Sequence, residues 1–208
     1  MTASQDATPP SRIIDRIKGL LLRPSLEWEA IAAEQTTVKS LFRRYALPLA
    51  LIGPLATYCH EVVFEGDGLL EATLLFVGGY AASLLTAYVL GIVIDGMATT
   101  FGSPKNSLAS MKLGVYAMTP YWLIGAVSLI SPALAFGLTL TLGFYGAYLI
   151  YSGLTPLKQT MANKRLGYTA SVSLIWIVLN AIIALLVLAG FSSFAVLGEA
   201  AVNILDQF

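Results

Sequence analysis

Charged residues are scarce in this chain of 208 residues: Asp, Glu, Lys and Arg together make up only 12% of it. A soluble domain carries about 25% charged residues. Hydrophobic residues, by contrast, make up 57%. This composition excludes a disordered chain and a basic module that binds nucleic acid, and it makes a soluble enzyme a poor interpretation. The sequence therefore predicts an integral membrane protein with no nucleic-acid partner.

Cysteine and histidine each occur once, which limits the chemistry that the side chains can support. With Cys59 alone, the chain cannot form an intrachain disulfide or a CxxC metal or redox motif. With His60 alone, one chain cannot build a multi-histidine haem or zinc site. The sequence also lacks a Gly-x-Ser-x-Gly motif and a phosphate-binding loop. We therefore predict a protein that is not an enzyme and has no cofactor.

Four acidic residues close to His60 supply oxygen atoms of the kind that binds divalent cations. They are Glu61, Glu65, Asp67 and Glu71. Their spacing matches no metal-binding motif, and acidic loops are usually solvated. Of the two interpretations, we favour the solvated loop and predict no metal site.

Five apolar stretches are each long enough to cross a bilayer as a helix. A span needs about 20 apolar residues to cross about 30 Å of hydrocarbon, and a helix satisfies its own backbone groups in lipid. The predicted spans are 45–63, 69–94, 108–130, 132–154 and 169–190. The sequence thus predicts an all-α bundle of five transmembrane helices over residues 45–190. Its third and fourth spans are expected to form a tight antiparallel hairpin.

The segments that precede the spans read as a tail and two amphipathic helices. Residues 1–10 are polar and end in two prolines, which predicts a disordered tail. Residues 11–44 are predicted to hold two cytoplasmic helices, the second over 25–34. The first is basic and carries apolar residues at helical spacing, namely Ile13, Ile14, Ile17, Leu20 and Leu21. Two interpretations stay open: these helices lie on an anionic leaflet, or they pack on the cytoplasmic face of the bundle.

The last segment, residues 191–208, is also amphipathic. Its apolar residues share one helical face and are Leu197, Ala201, Leu205 and Phe208. We expect this segment to lie along the outer surface of the membrane, and a re-entrant segment is the less favoured alternative.

The basic residues are confined to one side of the predicted topology. Of the twelve Lys and Arg residues, seven precede the first span, two lie between the second span and the start of the third, and three lie between the fourth and fifth. The opposite side carries acidic residues and no basic ones. Because basic residues stay in the cytoplasm, the pattern predicts a cytoplasmic N-terminus and a C-terminus outside.

Several features together resemble one family of membrane proteins. Residues 16–34 read RIKGLLLRPSLEWEAIAAE, in which a helix and a proline are followed by Glu-Trp and an isoleucine. Further matching positions are Tyr116, Pro120, Trp122, Tyr145, Tyr148, Gly153 and Leu154. Over residues 12–190, the chain resembles bacterial members of the Yip domain family, the Ypt/Rab-interacting membrane proteins.

This resemblance implies a five-span fold and a membrane-organising role of unknown chemistry in the bacterial inner membrane. The family's eukaryotic members are linked to small GTPases and vesicle trafficking. Their Asp-Leu-Tyr-Gly-Pro motif is absent from this sequence, and a bacterial cell lacks that partner, so GTPase binding is not expected. The expected partners are membrane lipids, other membrane proteins or a second copy of the chain.

Four polar side chains fall at mid-depth of the predicted spans. Counted from the cytoplasmic end of each span at 1.5 Å per residue, they lie about 13 to 21 Å deep. They are Tyr80, Tyr121, Tyr145 and Asn180. Because tyrosine normally prefers the interfaces, such groups need partners, and we expect them to bond to one another in an inward-facing polar layer. A cavity for a lipid or small substrate is the alternative.

The fourth span carries a stripe of mostly small residues on one helical face. The stripe consists of Ala133, Gly137, Thr141, Tyr148 and Ser152. Small residues let helix backbones approach closely in lipid. We expect this stripe, centred on Gly137, to make the closest helix contact, either with the third span or with a second chain. Leu138, Leu142 and Leu149 are expected to face lipid or a looser contact.

Asp95 is the acidic residue at the cytoplasmic edge of the second span. Intramembrane acids are often functional, but water reaches this depth, and we favour a structural or solvated role with Lys105 or Lys112 as the partner. No catalytic constellation remains. The leading hypothesis is therefore a non-enzymatic Yip-like membrane protein that binds proteins or organises lipid. The alternative is a small transporter or lipid-binding protein that uses the polar layer.

Overall fold

The structure is a computed structural model that describes residues 13–65 and 68–205. Within these ranges, the chain is helical and contains no strand. The predicted tail, residues 1–10, and Asp67 in the acidic loop lie outside the described residues, as do the side chains of the predicted C-terminal amphipathic face.

Eight helices make up the described part of the chain. They are α1 (Ile13–Leu22), α2 (Pro24–Ala33), α3 (Val38–Phe64), α4 (Leu69–Met97), α5 (Ser107–Ala117), α6 (Thr119–Ile124), α7 (Pro132–Lys158) and α8 (Ala162–Leu205). Short 3-10 turns follow α4 at Thr99–Phe101 and α6 at Gly125–Leu129.

Three helices in the described residues are long and apolar enough to cross a membrane. They are Val38–Phe64, Leu69–Met97 and Ala162–Leu186. A fourth span results if α7 counts as one bent span, because its two parts, Pro132–Leu140 and Leu142–Lys158, meet at 43°. The all-helical membrane fold is thus confirmed, whereas five separate spans are not.

The third predicted span, 108–130, is not one continuous helix. Helix α5 ends at Ala117, and α6 begins two residues later, at Thr119. Pro120 causes this break because it has no N–H to donate to the carbonyl of Tyr116. The hydroxyl of Thr119 donates to that carbonyl instead, at 2.7 Å. Beyond α6, the chain tightens into the 3-10 turn that leads to α7.

Helix α5 lies at the centre of the molecule. All of its residues from Ala109 to Ala117 are buried. On one side, α5 packs so tightly against α4 that a Cβ atom on Gly114 would lie 2.8 Å from the backbone nitrogen of Gly91. On other sides it contacts α7 and the α2–α3 region. The first half of the predicted third span therefore forms part of the protein core.

Helix α8 continues past the predicted end of the fifth span without a break. It runs from Ala162 to Leu205, so residues 191–205 extend the same helix. Whether this end lies along the outer surface or re-enters the membrane stays a prediction.

Candidate functional site

Helices α1 and α2 form a helical hairpin that is docked on the bundle. Trp28 of α2 is fully buried, and its indole Nε1 donates to the hydroxyl of Ser152 in α7 at 3.0 Å. Leu20 and Ile31 are fully buried beside it. Of the two interpretations of this segment, packing on the bundle is confirmed for this face of the hairpin.

The corner of the hairpin is held by a bond from the middle of α7. The hydroxyl of Tyr145 lies 3.0 Å from the carbonyl oxygen of Leu20 and 2.9 Å from that of Leu21, and donates to them. The last carbonyls of a helix have no partner within the helix. Tyr145 therefore caps the end of α1 and fixes its position along α7.

A buried arginine joins the two helices of the hairpin. Arg16 donates to Glu27 and to Glu34, at 2.5 Å in each case, and its guanidinium lies 5.5 Å from the ring centroid of Tyr116. Arg16 is only 6% exposed. One of the basic residues of the predicted amphipathic helix thus points inward and pairs with protein carboxylates.

A buried lysine binds the end of the hairpin that lies opposite its corner. The Nζ atom of Lys112 in α5 donates to the carbonyl oxygens of Ile31 and Glu34, at 2.7 Å each. These are carbonyls at the C-terminal end of α2, where a cation is favoured by the helix dipole. Lys112 is therefore part of the hairpin dock and is not a partner of Asp95.

Asp95 pairs with Lys158, so the prediction of Lys105 or Lys112 as its partner is wrong. The Lys158 ammonium is fully buried and lies 3.0 Å from Asp95 Oδ1. The carboxylate also accepts from the backbone N–H of Asn106 and from the hydroxyls of Ser107 and Ser110. The ends of α4, α5 and α7 are thereby joined, which gives Asp95 a structural role.

The four residues of the predicted polar layer each donate to a backbone carbonyl. Tyr80 donates to Leu47, Tyr121 to Gly143, Tyr145 to α1 and Asn180 to Trp176. The described hydrogen bonds do not join any of the four to one another. The expectation of a shared network is therefore not supported, because each of the four side chains already donates to a backbone carbonyl.

The stripe predicted on α7 does not make the closest helix contact within the chain. A Cβ atom at Gly137 would meet no described heavy atom within 4 Å. Tyr148 is 47% exposed, whereas Leu149, predicted to face lipid or a looser contact, is fully buried. Ser152 does contact the hairpin, Ala133 is exposed, and the side chain of Thr141 lies outside the described residues. Contact of the stripe with a second chain stays a prediction.

The tightly packed face of α7 carries glycines that the predicted stripe does not include, although Gly153 is among the positions that match the family. A Cβ atom on Gly146 would lie 2.6 Å from the ring of Tyr121, and one on Gly153 would lie 2.8 Å from the indole of Trp28. Their spacing of seven residues, with Gly143 three residues before the first, is a helical repeat that marks this face in the sequence.

A cavity of about 810 Å³ lies among α3, α4, α7 and α8. Tyr121 and Asn180 line it, so the structure brings together two of the four polar-layer residues. Tyr80 and Tyr145 are not among the lining residues that the structure describes. The remaining wall is mostly apolar and includes the indoles of Trp122 and Trp176.

The C-terminal end of α3 carries His60, Glu61 and Glu65 of the predicted acidic cluster, and Glu71 lies in the first turn of α4. His60 Nδ1 lies 3.2 Å from the carbonyl oxygen of Leu129. Among the side chains that the structure describes, no three His, Cys, Asp or Glu residues are grouped so that they could hold a metal ion.

Long apolar helices around a buried central helix define a helical, multi-pass membrane protein. The Yip1 domain family matches residues 18–188, and the chain belongs to this family. The family resemblance of the sequence is thereby confirmed. Comparisons with curated proteins and with solved structures gave no match.

Proposed function

We propose that this protein is a non-enzymatic, multi-pass membrane protein of Yip type that organises lipid at the cytoplasmic face of a bacterial inner membrane. The observation that carries the proposal is the bond between Tyr145 and the end of α1. Tyr145 lies 13 residues before Lys158, the last residue of α7. At 1.5 Å per residue, the corner of the hairpin therefore lies about 20 Å along α7 from its cytoplasmic end.

The hairpin corner exposes apolar side chains at this depth. Leu22 is 75% exposed and Leu26 is 62% exposed. Phe144, next to Tyr145 on α7, is 81% exposed, as expected for a residue that faces lipid. These two leucines flank Arg23, which is exposed at the turn between α1 and α2. Beside a lipid-facing stretch of α7, the leucines are favoured to enter the acyl region and not water, while the long side chain of Arg23 extends its guanidinium toward the headgroups. The hairpin then acts as a rigid wedge in one leaflet.

The contacts of the basic residues support the proposed orientation. Arg16, Lys112, Lys158 and Arg165 all contact groups at the same end of the bundle, Arg165 through the ring of Tyr151. This is the end that the charge pattern assigns to the cytoplasm. Binding of other membrane proteins and self-association are further modes of action that such a family member can combine with lipid contact.

Depth-dependent quenching tests the wedge. Single cysteines at positions 22 and 26, in a Cys59→Ser background, carry an environment-sensitive fluorophore in reconstituted vesicles with nitroxide-labelled lipids. Position 33 is the control, because Ala33 is exposed and lies on the same face of α2 as Leu26, about 10 Å farther from the corner. We expect strong quenching at 22 and 26 and weak quenching at 33. Equal, weak quenching at all three positions would place the hairpin outside the bilayer.

A further inference from the structure

We propose that the cavity among α3, α4, α7 and α8 binds a neutral, lipid-soluble molecule through a carbonyl or similar acceptor that Ser173 and Trp176 recognise. This inference goes beyond the proposed function, since the hairpin and its exposed leucines take no part in it.

The size and wall of the cavity fit a small apolar ligand. Its volume of about 810 Å³ falls in the range of about 300–1,000 Å³ that ligand pockets occupy. None of the described lining residues is charged. Small residues from three helices leave the space open, and they are Gly79, Ala82, Gly143, Ala147, Ala181 and Ala184. A charged ligand would lose its hydration here without gaining a counter-ion.

Two aromatic rings at the cavity prevent α7 and α8 from closing on each other. The ring of Tyr121 packs against Gly146 of α7, and its centroid lies 4.6 Å from that of Trp176 in α8. Because the Tyr121 hydroxyl is fixed by its bond to Gly143, this ring cannot swing away without losing a hydrogen bond. The cavity is thus built into the packing of the bundle.

Two donors in the cavity wall have no acceptor among the described protein groups. They are the hydroxyl of Ser173 and the indole N–H of Trp176, which are buried and lie one turn apart on α8. The other indole in the wall, Trp122, already donates to Ser83 at 2.8 Å. An unpaired donor in apolar surroundings is costly, so an acceptor on a ligand would be held there specifically.

The depth of these donors narrows the class of ligand. Trp176 lies 14 residues after Ala162, the first residue of α8, or about 21 Å along the helix. That is near the middle of a bilayer about 40–45 Å thick, which the ester carbonyls of phospholipids do not reach. Exposed apolar lining residues such as Phe144 and Ile177 open the cavity toward hydrocarbon. Prenyl quinones and neutral glycerides are carbonyl compounds that can enter from there.

Ligand-dependent unfolding of the purified protein in detergent tests the assignment. The probes are decylubiquinone and dioleoylglycerol, with dioleoylphosphatidylcholine as the control, and circular dichroism reports the unfolding midpoint. We expect one of the two neutral carbonyl compounds to raise the midpoint with saturation. The compound that does so identifies the source of the carbonyl. A rise with phosphatidylcholine alone, or with none of the three, would overturn the proposal.

Matched substitutions locate the binding site. Trp176→Phe keeps the ring but removes the donor, and Ser173→Ala removes the other donor. Each should lower the affinity about threefold to tenfold. Trp28→Phe makes the same chemical change in the hairpin dock and should leave the affinity unchanged. Ala181→Phe, at an exposed position in the wall, should abolish binding by filling the cavity. Wild-type affinity in both Trp176→Phe and Ala181→Phe would exclude this site.

Discussion

Gly91 and Gly114 bring the backbones of α4 and α5 into direct contact, so that a Cβ atom on Gly114 would lie 2.8 Å from the nitrogen of Gly91. Gly114→Ala should therefore destabilise the protein by about 1–3 kcal/mol, because two backbones must separate. Gly137→Ala should be neutral or slightly stabilising, since its Cβ atom has space and alanine favours the helix. Unfolding in mixed micelles measures both. Equal losses at the two positions would contradict the packing described for α7.

The comparison of these two glycines shows which part of the packing the sequence could predict. The small residues on the fourth span and the family pattern were both recognisable, and membership of the family is confirmed. Which helix face is buried in protein was not recognisable, because lipid and protein interior are equally apolar and hydropathy cannot separate them. For the same reason, hydropathy identifies residues 108–130 as a span but does not reveal that α5 is the buried centre.

The charge pattern likewise predicted only part of the candidate site. Counting basic residues per loop says nothing of the direction in which a side chain points. The count places Arg16 and Lys112 on the cytoplasmic side, but it does not show that the fold turns both side chains inward to the carboxylates and carbonyls of the hairpin. Of the residues that line the cavity, the sequence indicated only Tyr121 and Asn180. Ser173 and Trp176 belong to no motif, and only their positions one helical turn apart bring their donors together.

Arg16 should be essential for docking of the hairpin. Arg16→Met leaves Glu27 and Glu34 next to each other without their shared cation, and we expect a loss of about 3 kcal/mol, near the lower end for a broken buried pair. Faster proteolytic cleavage between α2 and α3 should accompany this loss. Lys18→Met, at an exposed position on the same helix, is the control and should change stability by less than about 0.5 kcal/mol. Equal behaviour of the two variants would show that the buried charge cluster does not hold the hairpin.

The polar-layer residues should act independently of one another. Tyr80→Phe removes the bond to the carbonyl of Leu47, and Tyr145→Phe removes the hydroxyl that is shared between the carbonyls of Leu20 and Leu21. We expect each change to cost about 1 kcal/mol. The double variant should lose the sum within about 0.5 kcal/mol. A larger coupling energy in this double-mutant cycle would restore the shared network that the sequence suggested.

The proposed orientation can be measured with an impermeant thiol reagent on intact cells. In a Cys59→Ser background, single cysteines at positions 10 and 164 should be shielded, and cysteines at positions 67 and 207 should be labelled. The reason is that all twelve Lys and Arg residues fall on one side of the predicted topology. Labelling at 164 but not at 67 would reverse the orientation.

Replacing Asp95 should lower the free energy of unfolding more than replacing Lys158 does. Lys158 is fully buried, and Asp95 is the one described acid that pairs with it. Asp95→Asn therefore leaves a buried ammonium without a counter-ion, and we expect a loss of about 3 kcal/mol in the free energy of unfolding. Asp95, in contrast, is partly exposed and keeps three further donors when Lys158 is replaced. Lys158→Met should cost less, about 1–2 kcal/mol.

The double variant tests whether the stranded ammonium of Lys158, and not a general sensitivity of this region to substitution, causes the loss of stability. Asp95→Asn combined with Lys158→Met removes the stranded charge, and it should be more stable than Asp95→Asn alone by about 1 kcal/mol or more. Lys105→Met is the control, since Lys105 is exposed and does not pair with Asp95 in the structure. If Lys105→Met lowers stability as much as Lys158→Met, Lys158 is not the specific partner of Asp95, and the pairing described above is wrong.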